Sequence, residues 1–141
     1  MEEKYNIIQV EEPDNSAWKA IGGGIHDFNV QQAGETQHRS LCFLLQAENQ
    51  EIVGGLIGKT YWGWLYIDLL FIKDELRGCG YGHCLLELAE EEARQRGAKN
   101  VYLDTFSFQA PDFYKKHGYH VFGELQDFPP GHQRYFFTKS L

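Results

Sequence analysis

"WLYIDLLFIKDELRGCGYGHCLLELAEEEARQRGAKNVYLDTF", residues 64–106, changes its apolar period twice. The nearly all-apolar run from 64 to 72 reads as a strand. From Gly80 onward Leu85, Leu86, Ala89 and Ala93 fall on one helical stripe, with Glu87, Glu90, Glu91, Arg94 and Arg96 elsewhere, and Gly97 supplies a left-handed stop. "NVYLDTF" (100–106) returns to strand. A helix of about four or five turns between two strands predicts parallel pairing with a right-handed crossover, so this stretch is one βαβ unit.

Upstream, residues 40–72 read as three strands in an antiparallel meander, with "ENQE" at the first turn and "YWGW" at the second. "YNIIQVE" (5–11) reads as an earlier strand. "NSAWKAIGGGIHDFN" (15–29) reads as a helix capped by Asn15 or Ser16 and weakened by Gly22 to Gly24. Downstream, "APDFYKKHG" (110–118) predicts a short helix opened by Pro111 and closed by Gly118, then "YHVFGEL" and "QRYFFTKSL" predict strands around a "PPGH" turn. The pattern implies an α/β fold with a mixed, mostly antiparallel sheet. No repeat or linker interrupts it, so residues 1–141 are expected to form one domain.

Thirteen Lys and Arg against twenty Asp and Glu give a net charge of −7, which disfavours nucleic acid or an anionic membrane as partner and suits a cationic substrate. The N-terminal residues lack signal-peptide character, and no stretch approaches the roughly 20 apolar residues of a membrane span. A cytoplasmic protein is expected. Cys42, Cys79 and Cys84 are an odd number without framework spacing, so reduced thiols filling core space are expected, and no disulfide. Their spacing to His83, His26 and His38 matches no standard zinc pattern, and no metal is expected.

Within 64–106 the glycines Gly78, Gly80 and Gly82 sit on alternate positions where strand hands over to helix, behind Arg77. Amides in a helix's first turn have no partners, and the macrodipole adds roughly half a positive charge there. Bare backbone lets those amides converge on an anion, with Arg77 adding a charge-assisted contact, which favours a diphosphate. The alternative is tight packing of strand against helix. A dinucleotide fingerprint would need glycine where His83 stands, and no Lys-Ser or Lys-Thr follows at the Walker spacing, so Asp104 is no ribose ligand.

Arg77-Gly78-Cys79-Gly80-Tyr81-Gly82 resembles the R/Q-x-x-G-x-G/A signature of the GNAT superfamily of acyl-coenzyme A N-acetyltransferases, with Arg77, Gly80 and Gly82 in its fixed places. Residues 64–125 are similar to that family's strand, helix, strand, helix, strand core, and "FYKKHGY" resembles its F-Y-x-x-x-G-F/Y motif. The resemblance implies a GNAT-like sheet of about six to seven strands with a central, splayed parallel pair and flanking helices. It implies acetyl-coenzyme A as co-substrate, its pyrophosphate on Arg77, Gly78, Cys79, Gly80, Tyr81, Gly82 and His83. The acetyl-pantetheine arm would lie along the backbone of Leu70, Phe71 and Ile72, with Tyr114 close to the sulfur.

An amine attacking a thioester expels a thiolate, and a phenol with an ordinary pKa near 10 can hand that thiolate a proton, which makes Tyr114 the candidate general acid. Alternatively Tyr114 packs its helix beside Phe113. Asp68 is the only charged residue in its apolar strand and is either a desolvated base for the amine or a satisfied structural carboxylate; Asp104 and Glu124 are weaker candidates. The backbone of residues 70–72 could also polarise the thioester carbonyl.

Trp62 and Trp64 either rim a substrate site or cover the core edge. Cys79 as a nucleophile lacks the G-x-S-x-G elbow. The acceptor is expected to be a small-molecule or peptide amine. Residues 12–39 depart from the family's usual two helices and leave its identity open. Rival readings are transfer of a longer acyl group and a non-catalytic coenzyme A-binding module. The aromatic "RYFFTKSL" end is either a homodimer edge or an ordinary core strand.

Overall fold

Asp68 interrupts a regular alternation, and much of the architecture follows from that. In the computed structural model, which describes residues 4–141, the strands β1 (Arg39–Gln46), β2 (Ile52–Tyr61) and β3 (Trp64–Ile72) form the expected meander. β2 and β3 pair Ile57 with Leu69 and Gly58 with Ile67, which leaves Asp68 unopposed as a β-bulge. Before it Leu65 and Ile67 point into the core; after it Leu70 and Ile72 do. A Cβ on Gly58, opposite the bulge, would collide with the Tyr66 carbonyl oxygen. Gly58→Ala should therefore cost about 2 kcal/mol through overpacking against backbone, read as a lower melting temperature.

The turn between β2 and β3 holds Trp62 (φ 45°) and Gly63 (φ 77°), and positive φ at both central residues matches the twist of the flanking strands. A 3₁₀ turn, Asp74–Leu76, leads to helix α2 (Tyr81–Gln95), strand β4 (Asn100–Phe106), helix α3 (Pro111–Lys116) and strands β5 (His120–Gln126) and β6 (Gln133–Ser140). The sheet order is β1-β2-β3-β4-β6-β5, with β3 and β4 parallel and every other pair antiparallel. Six strands, at the lower end of the expected number, make the mixed sheet that the pattern predicts.

Leu85, Leu86, Ala89 and Ala93 of α2 are buried as their stripe requires, in one cluster with Leu56, Leu65, Ile67, Val101, Leu103 and Phe137. Glu90 was expected on the outer face and is instead buried. It accepts hydrogen bonds from the Tyr119 hydroxyl (2.9 Å) and Lys139 Nζ (2.8 Å), and a carboxylate is tolerated in a core when so paired. At the other end of α2, Arg96 donates to the carbonyls of Arg39 and Ser40 and to Thr60, fastening the helix to β1 and β2.

Several expectations are corrected. No strand forms over 5–11, because alternating apolar residues make a strand only where a neighbour takes up their backbone groups, and no ladder includes these residues. The three cysteines are free but exposed and do not fill the core. β6 lies between β4 and β5, so both its edges are paired and it offers none for dimerisation.

The chain divides into two units, one ending at Thr36 and the other Gln37–Leu141. The first contains helix α1 (Asn15–Ala33), which runs through Gly22 to Gly24 and stops at Gly34. Its cap is neither Asn15 nor Ser16 but Asp14, whose carboxylate accepts from the Ala17 amide at 2.8 Å and is held below its ordinary pKa by that bond. No helix among the described residues is long and apolar enough to cross a membrane.

Candidate active site

The parallel ladder between β3 and β4 ends at Ile67 and Leu103, although β3 runs on to Ile72 and β4 to Phe106. The end coincides with the Asp68 bulge, which bends β3 where pairing stops. Beyond it β3 stays laddered to β2 and β4 to β6, so each strand keeps one edge without a strand partner. Leu70, Phe71 and Ile72 lie along that edge of β3, which can take an extended chain as an added strand would be taken.

The glycine turn follows directly. Gly78 (φ 77°) and Gly80 (φ 89°) hold left-handed backbone that other residues adopt with strain, and Gly80 caps α2. Gly82 serves sterically: a Cβ there would sit 3.3 Å from the Phe113 ring of α3. The glycines thus serve backbone conformation at 78 and 80, and at 82 close packing of helix on helix, where packing of strand against helix was the expected alternative. The amide of Cys84 makes the first helical bond, to Gly80 at 3.1 Å, so the amides before it precede the helical ladder, and Cys79, Tyr81 and His83 are exposed.

Arg77 does not project freely from this turn. Its Nε donates to the Ile72 carbonyl at 2.9 Å, and its Nη1 lies 2.6 Å from Asp74, so it ties the end of β3 to the turn.

Phe113 brings α3 onto the start of α2, and the next residue is Tyr114. Its ring is buried, edge-on to Phe113 and Tyr119 and tilted against Phe137. Burial, reinforced by the charge of Asp104, raises its phenol to about 12. Among the described residues no side-chain polar atom is both sealed from solvent and unpartnered. A phenol proton held more tightly in the folded chain than the ordinary value of 10 gives a definite sign. Between pH 10 and about 12 the unfolded chain has released that proton and the folded chain has not, so stability falls as pH rises through this window. Tyr119, raised by burial and by Glu90, adds to the same trend. Urea titrations across that range should show the decline.

Asp68 is exposed, and its place in the bulge accounts for a charge within an apolar strand. Tyr66 beside it is raised by burial first and then by Asp104 and Asp68. Asp104 is held by Arg134 at 2.7 and 2.9 Å, and Glu124 is exposed on β5. The Arg134 guanidinium lies over Phe106, Phe128 and Phe136 at 5.1–5.5 Å, a cluster that no sequence spacing signals because its members come from distant segments. Trp62 and Trp64 line a cavity of about 550 Å³ with Tyr61, Tyr102, Phe122 and Thr138. Trp64 and Tyr102 stand on the paired stretch of β3 and β4, before the gap.

Comparison with known proteins agrees with this geometry. Residues 5–119 match the model of the Acetyltransferase (GNAT) family. The chain is 37% identical over 120 residues to acetyltransferase Atu2258 of Agrobacterium fabrum, covering 85% of this chain and 88% of that protein. It is 39% identical over 95 residues to blasticidin-S acetyltransferase of Streptomyces morookaense, covering 67% of this chain and 70% of that one. The crystal structure of an acetyltransferase from Bacillus cereus superposes with a TM-score of 0.86 at 34% identity, covering 95% of this chain and 98% of that one. With a ladder that opens between two parallel strands, a glycine turn at the open end and a family model spanning most of its length, the chain belongs to the GNAT acetyltransferase family and is an acyltransferase.

Proposed function

We propose that this enzyme transfers an acetyl group from acetyl-coenzyme A to the primary amine of a small molecule by direct attack. The reading rests on one coincidence: the unladdered edge of β3, the glycine turn after it, and a helix whose Phe113 packs on Gly82 and whose next residue is Tyr114. The amides from Gly78 to His83 would receive the diphosphate, and the backbone of Leu70, Phe71 and Ile72 the pantetheine arm. The neutral amine attacks the thioester carbonyl carbon, the C–N bond forms and the C–S bond breaks. Tyr114 gives its phenolic proton to the departing sulfur, and the amine's surplus proton leaves to solvent or to Asp68.

A small cationic acceptor suits the net charge of −7 and the exposed Asp68 beside the gap, and the Streptomyces relative is named as an acetyltransferase of blasticidin-S. Calorimetry with acetyl-coenzyme A, followed by thiol release across a panel of amines with acetyl, propionyl and succinyl donors, tests each part. Binding and amine-dependent release fastest with the acetyl donor are expected. Binding without release for any amine would replace the transferase by a coenzyme A-binding module, and no binding would end the reading.

A further inference from the structure

His83 and His117 face each other across the contact between α2 and α3. His117 Nδ1 lies 2.8 Å from the Phe113 carbonyl oxygen, which only accepts, so Nδ1 carries a proton. His117 Nε2 lies 2.7 Å from His83 Nδ1, and one proton must stand between these two nitrogens. His83 Nε2 lies 3.1 Å from the Glu87 carboxylate, a contact that attracts only if that nitrogen also bears a proton. Three protons are thus required on two rings that hold two when neutral. An arrangement that satisfies all three contacts therefore gives the pair one positive charge, whichever ring holds the middle proton.

We propose that this proton-sharing histidine pair is a second anion-binding element of the cofactor site, contacting the diphosphate through His83 and making coenzyme A binding depend on the shared proton. The proposal rests on the reading of the glycine turn as the diphosphate site. His83 is the third residue of α2, within the stretch of amides assigned to that group, and half of its side chain is exposed. His117 is anchored from behind, by its bond to the Phe113 carbonyl and by the Phe113 ring at 4.5 Å, the ring that packs on Gly82. The pair is therefore built into the same contact that sets the turn.

The charged groups on the elements packed here are Glu87 on α2, Arg77 with its partner Asp74 before it, and Asp112, Lys115 and Lys116 on α3. Among the described residues only Glu87 forms an ion pair with the histidines. Glu87 is itself exposed, so a diphosphate with two acidic oxygens can displace it from the same Nε2–H. The direction follows: with the shared proton present the pair attracts the anion, and once rising pH removes it the attraction is lost.

Calorimetric titration of the full chain with coenzyme A from about pH 6 to about pH 8.5 tests this, because histidine charge is the side-chain variable of that range. The wild-type dissociation constant should rise about tenfold more across the range than those of His83→Gln and His117→Gln, the loss expected for one charge-assisted contact. Pantetheine, which lacks the diphosphate, should show no difference between wild type and variants. Nitrogen-15 NMR of the wild-type rings, which needs no variant to fold, should show three ring protons on the pair at the acidic end. Equal pH slopes in wild type and variants, or only two ring protons, would overturn the proposal while leaving coenzyme A binding intact. Absence of binding at every pH would instead overturn the reading of the turn itself.

Discussion

Tyr114→Phe should lower kcat about a hundredfold while leaving the acetyl-coenzyme A dissociation constant within about twofold of wild type, the pattern of a lost general acid. The substitution removes one oxygen and keeps the ring that meets Phe113, Tyr119 and Phe137, so core packing is preserved and the melting temperature should barely move. Because burial holds the phenol up to about 12, it keeps its proton at neutral pH, as the proposed acid role requires. A rise of kcat with pH would then report deprotonation of the amine. Steady-state rates paired with calorimetry decide the matter: unchanged turnover in Tyr114→Phe would make Tyr114 a packing residue only.

The second large effect is on stability. Glu90→Ala should cost about 3 kcal/mol, lowering the melting temperature by roughly 10 °C, because it leaves Lys139 and the Tyr119 hydroxyl without their partner in a buried setting. Glu90→Gln keeps an acceptor for Tyr119 and removes the charge opposite Lys139, so it should fall between the two. Thermal melts of the three proteins check the order. Glu90→Gln melting with wild type would mean that the charge contributes nothing and the hydrogen bond everything.

These two residues differ in how visible they were in the sequence. Tyr114 stands in "FYKKHGY" beside Gly118, and helix, stop and burial all follow from local spacing. Glu90 sits among Glu87, Glu91 and Glu92 in a stretch that reads as a solvated face. Its burial depends on Lys139, from the last strand, and Tyr119, neither predictable from the helix's own period. Asp68 shows the same limit in another form. It stood out as a charge among apolar neighbours, which suggested either a desolvated base or a satisfied structural carboxylate, whereas it is the extra residue of a bulge and exposed.

Local periodicity and turn chemistry therefore determined the elements from residue 39 onward, the parallel crossover and the glycine turn, since each rests on contacts within a few residues or on connection length. Strand 5–11 failed because a strand needs a partner that its own sequence does not specify. What only the tertiary structure decided was how separate segments meet: the Asp68 bulge that ends the β3–β4 ladder, Phe113 on Gly82, Glu90 with Lys139 and Tyr119, and His83 with His117. Each joins residues far apart in the chain, and such pairings are fixed by close packing of whole elements, which no local pattern encodes.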